Sequence, residues 1–87
     1  RRIMSESGNI VKNVVEYIVT QIVENEEEVK VEVATSTEDK VAIEVRTSSN
    51  DMGRVIGKRG RVARAIRTVA QAAADEEGLD SSVEFID

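Results

Sequence analysis

One helical pattern running from Asp51 to Glu77 is broken once, by Gly57-Lys58-Arg59-Gly60. Val55 and Ile56 lead into this turn and Arg61 follows it, so the segment reads as a short helix, a tight turn and a long helix. Neither glycine carries a Cβ, which lets the turn's backbone approach a chain of phosphates closely. The long helix starts just beyond, and its first unpaired N–H groups and its dipole favour an anion there. Natural helices usually place acids in the first turn. This one carries Arg61 and Arg64 in its first turns, with Asp75, Glu76 and Glu77 at its far end. Each exposed charge so placed opposes the dipole by about 0.3–1 kcal/mol. An external phosphate at the N-terminal end gives that inversion a purpose.

The charge distribution points the same way. The formal net charge is −5, from 12 basic and 17 acidic residues among 87, which by itself argues against a nucleic-acid partner. Six of the twelve basic residues, however, lie between Arg54 and Arg67, and no acid occurs from Met52 through Ala74. The acids crowd elsewhere, at Glu24, Glu26, Glu27 and Glu28 and again at Asp75, Glu76 and Glu77. A local field depends on where charges sit and not on their sum.

Composition removes most other functions. There is no cysteine and no histidine, which excludes zinc fingers, disulfide scaffolds, thiol catalysis and most triads. No nucleophile–base pair or metal cluster is visible, so no catalytic residue, metal or cofactor is expected and the chain is not read as an enzyme. Tyr17 and Phe85 are the only aromatics, too few for a module that stacks bases on rows of rings. No apolar run approaches the roughly 20 residues that span a membrane, and a cytoplasmic location is expected. The length fits a single domain over 1–87, with residues 1–8 as a flexible tail and Met4 as the expected start.

The remaining elements follow from periodicity. Ile10, Val14, Ile18 and Ile22 repeat at i+4, with Val11 and Val15 beside them, predicting a helix over 9–24 capped by Asn9 and ending at Asn25. Val19 and Val23 then fall on its outer side, as a candidate dimer surface. Val29, Val31 and Val33 alternate with polar residues, as do Val41, Ile43 and Val45, and residues 35–40 join these two strands as a hairpin. Ser49 or Asn50 caps a short helix over 51–56. Val62, Ile66, Val69 and Ala73 mark the inner face of the long helix, Gly78 ends it at C′, and Val83 and Phe85 alternate in a last strand. The order is α-β-β-α-α-β. The helical crossover makes the second and third strands parallel if adjacent, which gives a mixed three-stranded sheet with three helices on one face, a two-layer α+β sandwich.

Other phosphate-binding motifs fail. Only three residues separate Gly53 from Gly57, and Arg59 stands where a P-loop needs a hydroxyl after its lysine. No G-x-G precedes the helix, and the ββ order is wrong for a dinucleotide fold. The run from Gly53 through Val69 instead resembles KH domains, whose G-x-x-G loop clamps about four nucleotides. The element order matches their type II arrangement, and the short chain is similar to the small bacterial single-KH RNA-binding proteins of the KhpA kind. The resemblance extends from the first helix to the last strand. The acidic stretch after the first helix is longer than that pattern, and residues 1–3 have no counterpart in it.

The resemblance implies a groove for single-stranded RNA. Gly57, Lys58, Arg59 and Gly60 would grip the sugar-phosphate backbone, with Arg54, Arg61 and Arg64 extending the positive rim. Val55, Ile56, Val62 and Ala63 would form an aliphatic floor, and the strand at Val83 and Phe85 would offer backbone groups to base edges. Single-stranded DNA is not separated from RNA by any residue. The resemblance further implies an RNA chaperone or post-transcriptional regulator, acting as a homodimer or as a heterodimer with a larger KH-containing protein. The alternative is a KH-fold protein-interaction module that has lost RNA, although such a module has no need of Lys58 and Arg59.

Overall fold

A computed structural model describes residues 4–87. Its elements are α1 (Met4–Ile22), β1 (Lys30–Ser36), β2 (Lys40–Arg46), α2 (Ser49–Ile56), α3 (Arg61–Glu76) and β3 (Asp80–Ile86), the α+β order expected. β1 and β2 pair antiparallel, with a bulge between Val33 and Thr35, and β2 pairs with β3 in parallel. The sheet order is β1-β2-β3, which leaves one edge of β3 without a strand. The helices cover one face of this mixed sheet. The core between the layers is Val31, Val41, Ile43, Val45 and Val83 from the strands and a set of small aliphatic side chains from the helices.

The starts of α1 and α2 differ from the sequence expectation, and α1 ends at Ile22, two residues short of it. α1 begins at Met4, so Asn9 lies inside it and not at its cap. Of the expected flexible tail, residues 1–3 lie outside the described residues and 4–8 are helical. No proline stops the helix there, and Gly8 is buried, close to Val33 and Ser36. α2 is capped by Ser48, one residue earlier than expected. The end of α3 is as read: Gly78 N–H donates to Asp75 O (3.1 Å) and Leu79 N–H to Ala74 O (2.9 Å), the paired bonds of a Schellman cap.

The buried stripes of both long helices are rotated from the expected ones. In α1 the side chains without solvent contact are Val11, Val15 and Val19, continued by Val23 just past the helix end, whereas Ile10 is exposed. Val19 and Val23 are therefore core and do not form a dimer surface. Two adjacent i+4 ladders of aliphatic residues are equally periodic, and only the sheet beneath decides which one is buried. In α3 the inner face is Ala63, Ile66, Ala70 and Ala74, and Val69 is exposed. Alanines on this face let the helix lie close to its neighbours. Fully burying a valine contributes about 1.5–3 kcal/mol, so the α1 ladder is a main source of stability.

Candidate nucleic-acid interface

The turn between α2 and α3 is built by three residues of positive φ. Gly57 closes α2, its N–H bonded to Gly53 O at 2.8 Å, and it takes φ 79° and ψ 169°. Lys58–Gly60 then form a single 3-10 turn in which Arg59 (φ 57°) and Gly60 (φ 72°) are both left-handed. Arg59 is the one non-glycine with positive φ among the described residues. This backbone holds the side chains of Lys58 and Arg59 out into solvent, where both are exposed. No side chain caps α3, and Arg61 N–H turns back to Lys58 O. The helix therefore meets solvent with its positive end unneutralised.

Around that end stand Lys58, Arg59, Arg61 and Arg64, all exposed. Among the described residues none of the four is paired with a carboxylate. Arg54 differs. Its guanidinium reaches Asp51 at 2.9 Å and Glu24 at 3.3 Å, so two carboxylates offset its charge. Asp51 itself has no solvent exposure. It accepts the backbone N–H groups of Glu24 (3.1 Å) and Asn25 (2.9 Å), the Ser48 hydroxyl (3.1 Å) and Arg54. Its pKa is lowered from 3.8 to about 2, first by those two backbone donors and then by Ser48 and Arg54, with burial acting in the opposite direction. This junction ties the start of α2 to the chain leaving α1. It thus fixes the near side of the turn.

The expected aliphatic floor divides in two. Of the expected floor, Val55 and Ala63 retain 0% and 3% of their surface and belong to the core; Val83, expected to offer backbone groups, also turns its side chain into the core (3%). They sit on the inward faces of α2, α3 and β3, where the sheet takes them out of reach of a ligand. Ile56, Val62 and Phe85 are half-buried at the rim of that core. Val62 also packs directly on Gly57.

Sequence reasoning missed Arg67. Its Nε donates to the Val83 carbonyl at 3.1 Å, and its guanidinium carbon lies 5.2 Å from the centre of the Phe85 ring. One turn further on, Gln71 Oε1 accepts the Ser81 N–H at 2.9 Å, and Gln71 Nε2 donates to Leu79 O at 3.2 Å. Arg67, Glu84, Phe85, Ile86 and Asp87 line an open pocket of about 380 Å³. The only sequence signal for Arg67 was its place as the last cation of the acid-free window, since Phe85 lies 18 residues away. Among the described residues there is no group of acids or other ligands able to hold a metal ion, and no helix is long and apolar enough to cross a membrane.

The sequence is similar to known proteins over most of its length. The family model for the KhpA/KhpB KH domain matches residues 12–85. A protein named RNA-binding protein KhpA from Borreliella burgdorferi is 40% identical over 84 residues, covering 97% of this chain and all of that one. Proteins of the same name from Clostridium perfringens and Clostridium acetobutylicum are each 61% identical over 36 residues, or 41% of this chain, and these matches span about half (48%) of the clostridial proteins. No solved structure matches the chain. On the family model and the near full-length relative together, the chain belongs to the KhpA/KhpB KH-domain family.

Proposed function

We propose that this protein binds single-stranded RNA by clamping its sugar-phosphate backbone at the 57–60 loop. The observation that carries the reading is the gathering of Lys58, Arg59, Arg61 and Arg64, exposed and free of internal carboxylates, around an uncapped helix N-terminus. Gly57 and Gly60 let the phosphates approach, and the four cations grip them. Arg54 extends the rim more weakly, because Asp51 and Glu24 offset its charge. Ile56, Val62 and Phe85 form the apolar floor under the bases, and β3 supplies backbone groups near Val83. The relatives' name, RNA-binding protein KhpA, supports the same ligand.

A clamp on three or four phosphates is weak. The slope of log K against log salt for single strands is about −0.7 per phosphate, so it falls at roughly −2 to −3 here. Pairing two modules, as a homodimer or with a larger KH-containing protein, raises the effective concentration of the second site. That arrangement suits a cytoplasmic RNA chaperone or post-transcriptional regulator. A second reading, an interaction module of KH fold, draws on apolar surface left open at Tyr17 (67% exposed) and Val69 (43%).

The test compares the protein with Lys58→Asp/Arg59→Asp on a labelled single-stranded RNA pool over a salt series, with DNA of matched sequence alongside. The clamp requires binding with a slope of roughly −2 to −3, lost in a double variant that is still folded. Equal weak binding by both proteins, or none by either, would remove the RNA role and favour the interaction module.

A further inference from the structure

We infer that Arg67 reads one base of the bound strand, selecting an edge that offers two adjacent hydrogen-bond acceptors. Guanine presents such a pair at O6 and N7, and cytosine at O2 and N3. The inference rests on the clamp proposed above and names the specificity of that same groove.

Its basis is the seam between α3 and β3. Gly60, Arg64, Arg67 and Gln71 are spaced by four, three and four residues, so they share one face of the helix. Gln71 is tied to Ser81 and Arg67 to Val83, which shows that helix and strand run in opposite directions along this seam. The Gln71–Ser81 contacts close one end. The other end leads past Arg64 to the 57–60 loop. A strand gripped at the loop and laid along the seam therefore meets Arg67 before it meets the closure.

Arg67 is prepared for that meeting. A guanidinium has five N–H donors, and only Nε–H is used, by the Val83 carbonyl. The two terminal nitrogens have no partner among the described residues. The hydrogen bond at one edge and the Phe85 ring at 5.2 Å together orient the group. A fixed planar fork matches two adjacent acceptors and mismatches an acceptor beside a donor. Adenine offers only the mismatched kind, and uracil places N3–H between its two oxygens. Glu84 and Asp87 line the same pocket without pairing to Arg67. Their charge repels a phosphate, so a neutral base edge is what the fork receives.

The experiment titrates the full chain with five-nucleotide RNAs, UUXUU with X as U, A, G or C, at low salt. At least one of G and C should bind about 5-fold or more tightly than U and A, the discrimination a bidentate contact gives. Arg67→Lys keeps the charge but loses the fork, so it should abolish the preference for G or C over U and A, whatever it does to the affinity for UUUUU. If G is the preferred base, 7-deazaguanosine, which lacks the N7 acceptor, should bind no better than U. That last arm uses the unaltered protein and does not depend on a variant folding. Equal affinity for all four bases, or a preference that survives in Arg67→Lys, would overturn the inference and leave the clamp standing. Failure to bind any of the pentamers would overturn the clamp itself.

Discussion

A Cβ added at Gly57 would lie 2.5 Å from Val62 Cγ2, 2.8 Å from its Cβ and 2.9 Å from its amide nitrogen. The same atom added at Gly60 would meet nothing within 4 Å. The two glycines of the loop thus do different work. Gly57 is held by contact with α3 as well as by its positive φ, and Gly60 by φ alone. Gly57→Ala is expected to cost on the order of 3 kcal/mol, from strain plus displacement of Val62, and Gly60→Ala about 1 kcal/mol. Urea unfolding of both variants checks the order, and equal losses would contradict it. The sequence made the loop legible as glycine–cation–cation–glycine, but it ranked the glycines alike. Their difference depends on the distance between Gly57 and Val62, which no spacing rule supplies. The case of Arg67 is similar: its partners Val83 and Phe85 come from another element, and only the packing of α3 on β3 unites them.

Between elements, Asp51 joins the start of α2 to the chain leaving α1, and its ionised form is what the junction is built to hold. Its folded pKa, about 2, is below the ordinary 3.8, so the charged carboxylate favours the folded state. The contribution is fully present above 3.8 and is lost as pH falls through about 2. Thermal unfolding followed in steps of pH should show this loss between those two values. Asp51→Ala should lower the midpoint at neutral pH and remove the Asp51 part of the acid-dependent decline. An unchanged decline in the variant would show that other carboxylates cause it. Most element types and their order were legible from hydrophobic period and turn residues. The buried faces were less so. In α1 the ladders Ile10–Val14–Ile18–Ile22 and Val11–Val15–Val19–Val23 have the same period, and the choice between them is made by contact with β1 and β2. In α3 the larger Val69 looks like an inner residue, yet close packing places small Ala70 there instead.

For the whole molecule, a net charge of −5 conceals a division of labour. The cations collect at the α2–α3 turn, and acids gather in the Glu26–Glu28 turn and at the end of α3. Lys58, Arg59, Arg61 and Arg64 make the α2–α3 turn locally positive despite that sum, and a polyanion would be attracted there. The α+β sandwich and its mixed sheet could be derived from the ββ hairpin followed by a helical crossover, since few arrangements satisfy that order. The proposed path of a ligand along α3 and β3 could not, because it depends on a free strand edge and on side chains that close one end of the seam. A titration of the isotopically labelled protein with a short single-stranded RNA, followed by amide NMR shifts, tests whether the 57–60 loop and the α3–β3 seam hold the strand. Shifts are expected at Gly57 to Arg64 and along Val83 to Phe85, with little change on the uncovered face of the sheet. Shifts centred on that face or on α1, with the 57–60 loop silent, would contradict that placement.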